Sequence, residues 1–149
     1  MLKRVEGEPI DGRLVYRYAD RTLDVEPHPD GGVTSVLVND AQIEIDEDGR
    51  LMYVWGYCPH ESWRPWRLNI PNGSVGCVRY IGDCFIPGVS IRLNKDPWPI
   101  TFDDSSGWLC IGNPLSPGET VQFSPGAMIA LEDGKLVALW LRPELNAWR

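Results

Sequence analysis

The sequence predicts an all-β fold: two packed, mainly antiparallel sheets or a flattened barrel, built from two related hairpin units. Three observations carry that reading. Gly and Pro supply 28 of the 149 residues, and Val, Ile and Thr supply 26 against six Ala. This mixture breaks helices and suits short strands joined by tight turns. No window of a dozen residues keeps a 3.6-residue apolar period, while period-two alternation recurs. Two Asp-Gly pairs, Asp48-Gly49 and Asp133-Gly134, each sit between apolar alternations. Such pairs mark hairpins because the turn wants φ > 0. About nine to eleven strands are expected, in a single domain over 1–149.

Taken in order, Leu14, Tyr16 and Tyr18 face one way and Arg17 the other. Ile43 and Ile45 alternate with Gln42, Glu44 and Asp46, and Val89, Ile91 and Leu93 with Ser90 and Arg92. These are half-buried strands. Leu51–Tyr57 and Leu136–Leu141 are apolar on both faces, as central or doubly covered strands are. His28, among Pro27, Pro29, Gly31 and Gly32, reads as a solvated loop residue. Asp48 and the pair Asp103-Asp104 read as turn formers, and Trp98 between two prolines as an anchored turn. The PELNAWR segment reads as a short helical turn, with Trp148 either docking it or making an oligomer contact.

The two hairpins repeat at an offset of 85: Glu47, Asp48, Gly49, Leu51 and Trp55 fall on Glu132, Asp133, Gly134, Leu136 and Trp140. Val36 and Val38 fall on Val121 and Phe123. With gaps allowed, Tyr18, Leu23 and Val25 answer Phe102, Leu109 and Ile111. Units of about 12–58 and 97–143 follow, around a distinct middle segment, 59–96. Each unit has an apolar face that needs a mate, so the two are expected to share one core, to place Trp55 and Trp140 in like surroundings, and not to fold alone. The stretches YADRTLDV and IDEDGRLMYVW resemble a duplicated small bacterial β-module. That resemblance implies a β architecture and no particular chemistry.

The net charge is −7. An acidic chain repels phosphate backbones and anionic bilayers, which argues against nucleic-acid and membrane partners. No apolar run reaches the ~20 residues of a membrane span. The basic start MLKR has no apolar stretch behind it, so the cytoplasm is the expected location. In a reducing compartment Cys58, Cys77, Cys84 and Cys110 are expected as thiols, with a Cys77–Cys84 bridge the alternative.

Unusual chemistry concentrates in the middle segment. Cys58, His60, Cys77 and Cys84 are zinc-ligand types, but their spacing departs from fingers and ribbons, so no metal or cofactor is assigned. Cys77, Cys84 and Cys110 read as small core hydrophobes. Cys58 and His60 lie two apart with Glu61 alongside, the residue types of a nucleophile, base and orienter. Pro59 between them and the lack of an oxyanion-hole motif weigh against catalysis, and no catalytic residue is assigned. The WRPWR run sets Trp63, Arg64, Trp66 and Arg67 around Pro65. Trp and Arg dominate binding hot spots, so these four are the expected contacts of a non-enzymatic protein-interaction module, antitoxin- or immunity-like in one version. The alternatives are a small-molecule binding or hydrolytic protein with a pocket near Cys58, His60 and Glu61, and a structural subunit of a homo-oligomer.

Overall fold

Two seven-stranded sheets, not closed into a barrel, carry the fold. They come from a computed structural model that describes residues 1–82, 86–116 and 118–146. The first sheet is built on β2 (Arg13–Arg17), β3 (Thr22–Glu26), β4 (Gly32–Val38), β5 (Ala41–Asp46) and β6 (Leu51–Tyr57). The second is built on β11 (Ile100–Asp103), β12 (Trp108–Gly112), β13 (Glu119–Ser124), β14 (Ala127–Glu132) and β15 (Lys135–Leu141). The spatial order is β2-β3-β6-β5-β4 in one and β11-β12-β15-β14-β13 in the other, the same topology twice.

Register confirms the repeat in detail. Leu23 opposite Gly56 corresponds to Leu109 opposite Leu141, and Val36 opposite Ile43 to Val121 opposite Ile129. Each central hairpin carries a bulge at the same place, between Glu44 and Ile45 and between Ala130 and Leu131. Two sequence matches shift. Phe102, opposite Leu109, corresponds to Tyr16, opposite Leu23, and not to Tyr18, which lies beyond the strand. Phe123 sits in a bulge of β13, so the partner of Val38 is Ser124.

The inner faces form one core. Tyr16, Leu23, Ile43, Ile45, Leu51 and Val54 pack in one cluster with Leu109, Ile111, Phe123, Ile129, Leu139 and Leu141. Full burial of each aliphatic contributes about 1.5–3 kcal/mol, and neither unit can reach that burial without the other.

The remaining strands are short: β1 (Leu2–Val5), β7 (Trp63–Pro65), β8 (Ser74–Val75), β9 (Cys77–Tyr80), β10 (Ile91–Arg92) and β16 (Glu144–Asn146). They raise the number among the described residues to sixteen, above the nine to eleven expected. Pieces of two to four residues are too brief for alternation to show. Four of them pair in parallel at sheet edges. β7, which follows the first unit, pairs with β11 of the second, and β16, which follows the second, pairs with β2 of the first. The units thus exchange edge strands. The expected helical turn at PELNAWR is corrected: Glu144–Asn146 is strand, drawn into the sheet by Val15, Tyr16 and Arg17, while Trp148 lies outside the described residues. Val89 is exposed, so strand alternation there reduces to Ile91–Arg92.

The two Asp-Gly hairpins differ in turn type. Asp133 and Gly134 both have positive φ, 52° and 77°, as a two-residue loop requires. In the first hairpin only Gly49 does, at 84°. There the Asp46 carboxylate accepts the N–H groups of Asp48 and Arg50, each at 2.9 Å, and lengthens the loop. At the corresponding place Glu132 stays in the ladder opposite Lys135. The ribbon β1–β9 holds both tips. Leu2 N–H donates to Gly134 O and Tyr80 N–H to Gly49 O, both at 2.7 Å.

Candidate functional site

β7 forms the edge of the second sheet, and of the WRPWR residues only its first, Trp63, is covered. Trp63, opposite Ile100, turns inward, with its ring centroid 4.8 Å from that of Tyr16 and 5.2 Å from that of Phe102. Its indole N–H is buried and has no acceptor among the described residues. Trp66 N–H donates to Phe102 O at 3.0 Å and continues the edge, but its side chain is 68 % exposed. Arg64 and Arg67 are exposed and form no ion pair among the described residues. The structure therefore splits the two indoles: Trp63 is half-buried and packs against the core, and the outward set is Arg64, Trp66 and Arg67.

Cys58, His60 and Glu61 follow β6, where a single 3-10 turn over His60–Ser62 reverses the chain toward β7. The Tyr16 hydroxyl organises this turn from the core. It donates to Cys58 O at 2.8 Å and accepts from His60 N–H at 3.0 Å. The Cys58 thiol is 2 % exposed, and burial pushes its pKa up to about 11. A thiol held there stays protonated at neutral pH. His60 turns to the aromatic rings, with Nδ1 3.3 Å from the Tyr16 hydroxyl and its centroid 4.9 Å from that of Tyr18. Glu61 reaches His60 Nδ1 at 3.4 Å and accepts from Arg21 Nε at 2.6 Å. Its own backbone N–H and Arg21 hold its carboxyl below the usual range. No hydrogen bond joins the thiol to the imidazole among the described residues, so the three do not form a nucleophile–base–orienter relay.

Beside Cys58 opens a cleft of about 850 Å³, between the β4–β5 turn, the end of β6, β7 and the 92–100 segment. Its wall is rigid. Asn39, with φ of 54°, sits in a clasp with Asn94 and Trp98. Asn39 N–H donates to Asn94 Oδ1 at 2.9 Å and Asn39 Nδ2 to Trp98 O at 3.0 Å. Asn94 Nδ2 and Trp98 N–H donate back to Asn39 Oδ1, at 2.6 and 2.9 Å. Asn94 is 2 % exposed, while Asn39 and Trp98 are half-buried and line the cleft. Arg64, Arg92 and Lys95 line the cleft against one carboxylate, Asp40.

No family model matches the chain, and no curated protein matches it. No helix among the described residues is long and apolar enough to cross a membrane. Among those residues no group of three or more His, Cys, Asp and Glu side chains is placed to hold a metal ion. Cys77 is buried on β9, while Cys84 lies outside the described residues. Sequence reasoning passed over Asn39, Arg92, Asn94 and Lys95. The one local sign was Asn39-Asp40 between two apolar strands, a turn signal that says nothing of the long-range partners.

Proposed function

We propose that the protein is a non-enzymatic interaction module that uses the β7 corner as its contact. The observation that carries this is Trp66, 68 % exposed on a sheet edge between two arginines without ion-pair partners among the described residues. An indole and two guanidinium groups offer large contact areas with polar handles, the composition of binding hot spots. A cationic corner on a chain of net charge −7 selects a partner with a carboxylate-bearing face. In the antitoxin- or immunity-like form of this reading, the acidic remainder of the surface covers a basic partner and the corner anchors it. Affinity capture from native lysate tests the reading, with wild type and the Trp66→Ala/Arg67→Ala double variant run in parallel. A partner held by the wild type and lost by the variant supports it. Identical captured sets, or nothing specific to the wild type, overturn it.

A second reading, a small-molecule binding protein, is favoured by the cleft beside Cys58 and its three cations.

A further inference from the structure

The cleft inverts the charge of the molecule around it. The chain carries 14 Lys and Arg against 21 Asp and Glu, yet three cations and a single carboxylate line this one cavity. Arg64, Arg92 and Lys95 are all exposed, and none has an ion-pair partner among the described residues, so their charges are free to meet a ligand. Arg92 donates to Asn39 O at 2.8 Å, which ties its guanidinium to the Asn39 clasp. Three cations gathered without neutralisation favour a negatively charged occupant.

The other lining residues describe the rest of that occupant. Trp98, Pro97 and Pro99 form an apolar wall, and Ile100 and Ile111 add to it from the sheet. Trp98 is held at both its backbone N–H and its C=O by the Asn39 side chain. A wall fixed in advance loses little freedom on binding. A flat ring suits an indole-and-proline wall, and the volume matches the few-hundred-to-1,000 Å³ range of small-ligand sites.

We propose that this cleft binds a small organic oxyanion that carries an aromatic ring, its carboxylate or phosphate met by Arg64, Arg92 and Lys95 and its ring set against Trp98. This deepens the second reading above; Arg64 is shared with the β7 contact, whereas Trp66 and Arg67 do not line the cleft and Arg92 and Lys95 lie outside β7.

Amide-resolved NMR titration of the full chain tests the proposal with three probes: benzoate, phenyl phosphate and the neutral isostere benzamide. The expected result is saturable shifts at Asn39–Ala41, Tyr57–Cys58, Lys95, Asp96 and Trp98 with one or both anions, and none with benzamide. The anion that binds more tightly identifies the oxyanion. Arg92→Gln/Lys95→Gln should weaken that binding by about tenfold or more, the loss of a charge-assisted contact. Lys95→Gln alone, which leaves the Arg92–Asn39 bond in place, should weaken it in the same direction. The proposal is overturned if neither anion gives saturable shifts at millimolar concentration. Equal shifts with benzamide, or undiminished affinity in both variants, overturn it as well. Trp66→Ala should bind the anion as the wild type does, which separates this outcome from the test of the β7 contact.

Discussion

A single carboxylate holds a long strap in place. Asp103 ends β11, and its Oδ1 accepts from Ser105 N–H at 3.0 Å and from the Ser105 hydroxyl at 2.6 Å. Its Oδ2 accepts from Leu68 N–H at 3.0 Å, 35 residues away. These bonds hold its pKa at about 2, below the ordinary 3.8. A carboxyl depressed in the folded state contributes stability that is full above its unfolded value and is lost as pH falls through the folded one. Asp103→Asn should therefore lower the melting temperature at pH 7, and the gap to wild type should close between about pH 4 and pH 2. Paired thermal melts across that range check this, and a gap that stays constant with pH would refute it. The turn role of Asp103 was readable from DDSSG, because an Asp caps its own turn. Its hold on Leu68 was not, since the partner comes from another region of the chain.

Between β7 and β8 that strap crosses the outer face of the second sheet, and the crossing explains why equivalent tryptophans differ. Trp55 and Trp140 occupy matching outward places on β6 and β15, 85 residues apart. Trp140 is 2 % exposed, enclosed with Leu68, Cys110, Met128, Ala130 and Ala138. Trp55 is half-buried, and its indole N–H donates to Glu44 Oε1 at 2.9 Å. The expectation of like surroundings is thus corrected: the repeat fixes the place of each ring, and the strap, present over one sheet, fixes its cover. Trp140→Ala should cost about 3–5 kcal/mol of stability, the range for a large side chain removed from a closed core. Trp55→Ala should cost well under half of that, because its ring keeps contact with water. Chemical denaturation of both variants measures the difference, and equal losses would contradict this account. The doubly apolar pattern of Leu136–Leu141 announced that its outer face needed a cover. Nothing in LNIPNG announced that this segment supplies it, because Leu68 and Ile70 follow no period.

The molecule holds together as two interlocked halves. β7 and β8, from before residue 76, form both edges of the second sheet, while β10 and β16, from after residue 90, form both edges of the first. Chains 1–87 and 88–149 expressed apart should each fail to give a cooperative thermal transition. Expressed together, they should co-purify and regain it. Independent melting of either half would refute the shared core. The duplicated hairpins were legible because local alternation and Asp-Gly turns write themselves into adjacent residues. The exchange of edges was not, because a parallel edge strand of two or three residues takes its place from its distant partner alone.

That exchange bears on how the chain is made. Arg13, on the strand β16 completes, and Glu144 lie 131 residues apart. A ribosome adds roughly 5–20 residues each second, so the residues of β2 wait many seconds for the strand that completes their edge. Throughout that interval β2 lacks the edge partner that the finished fold gives it.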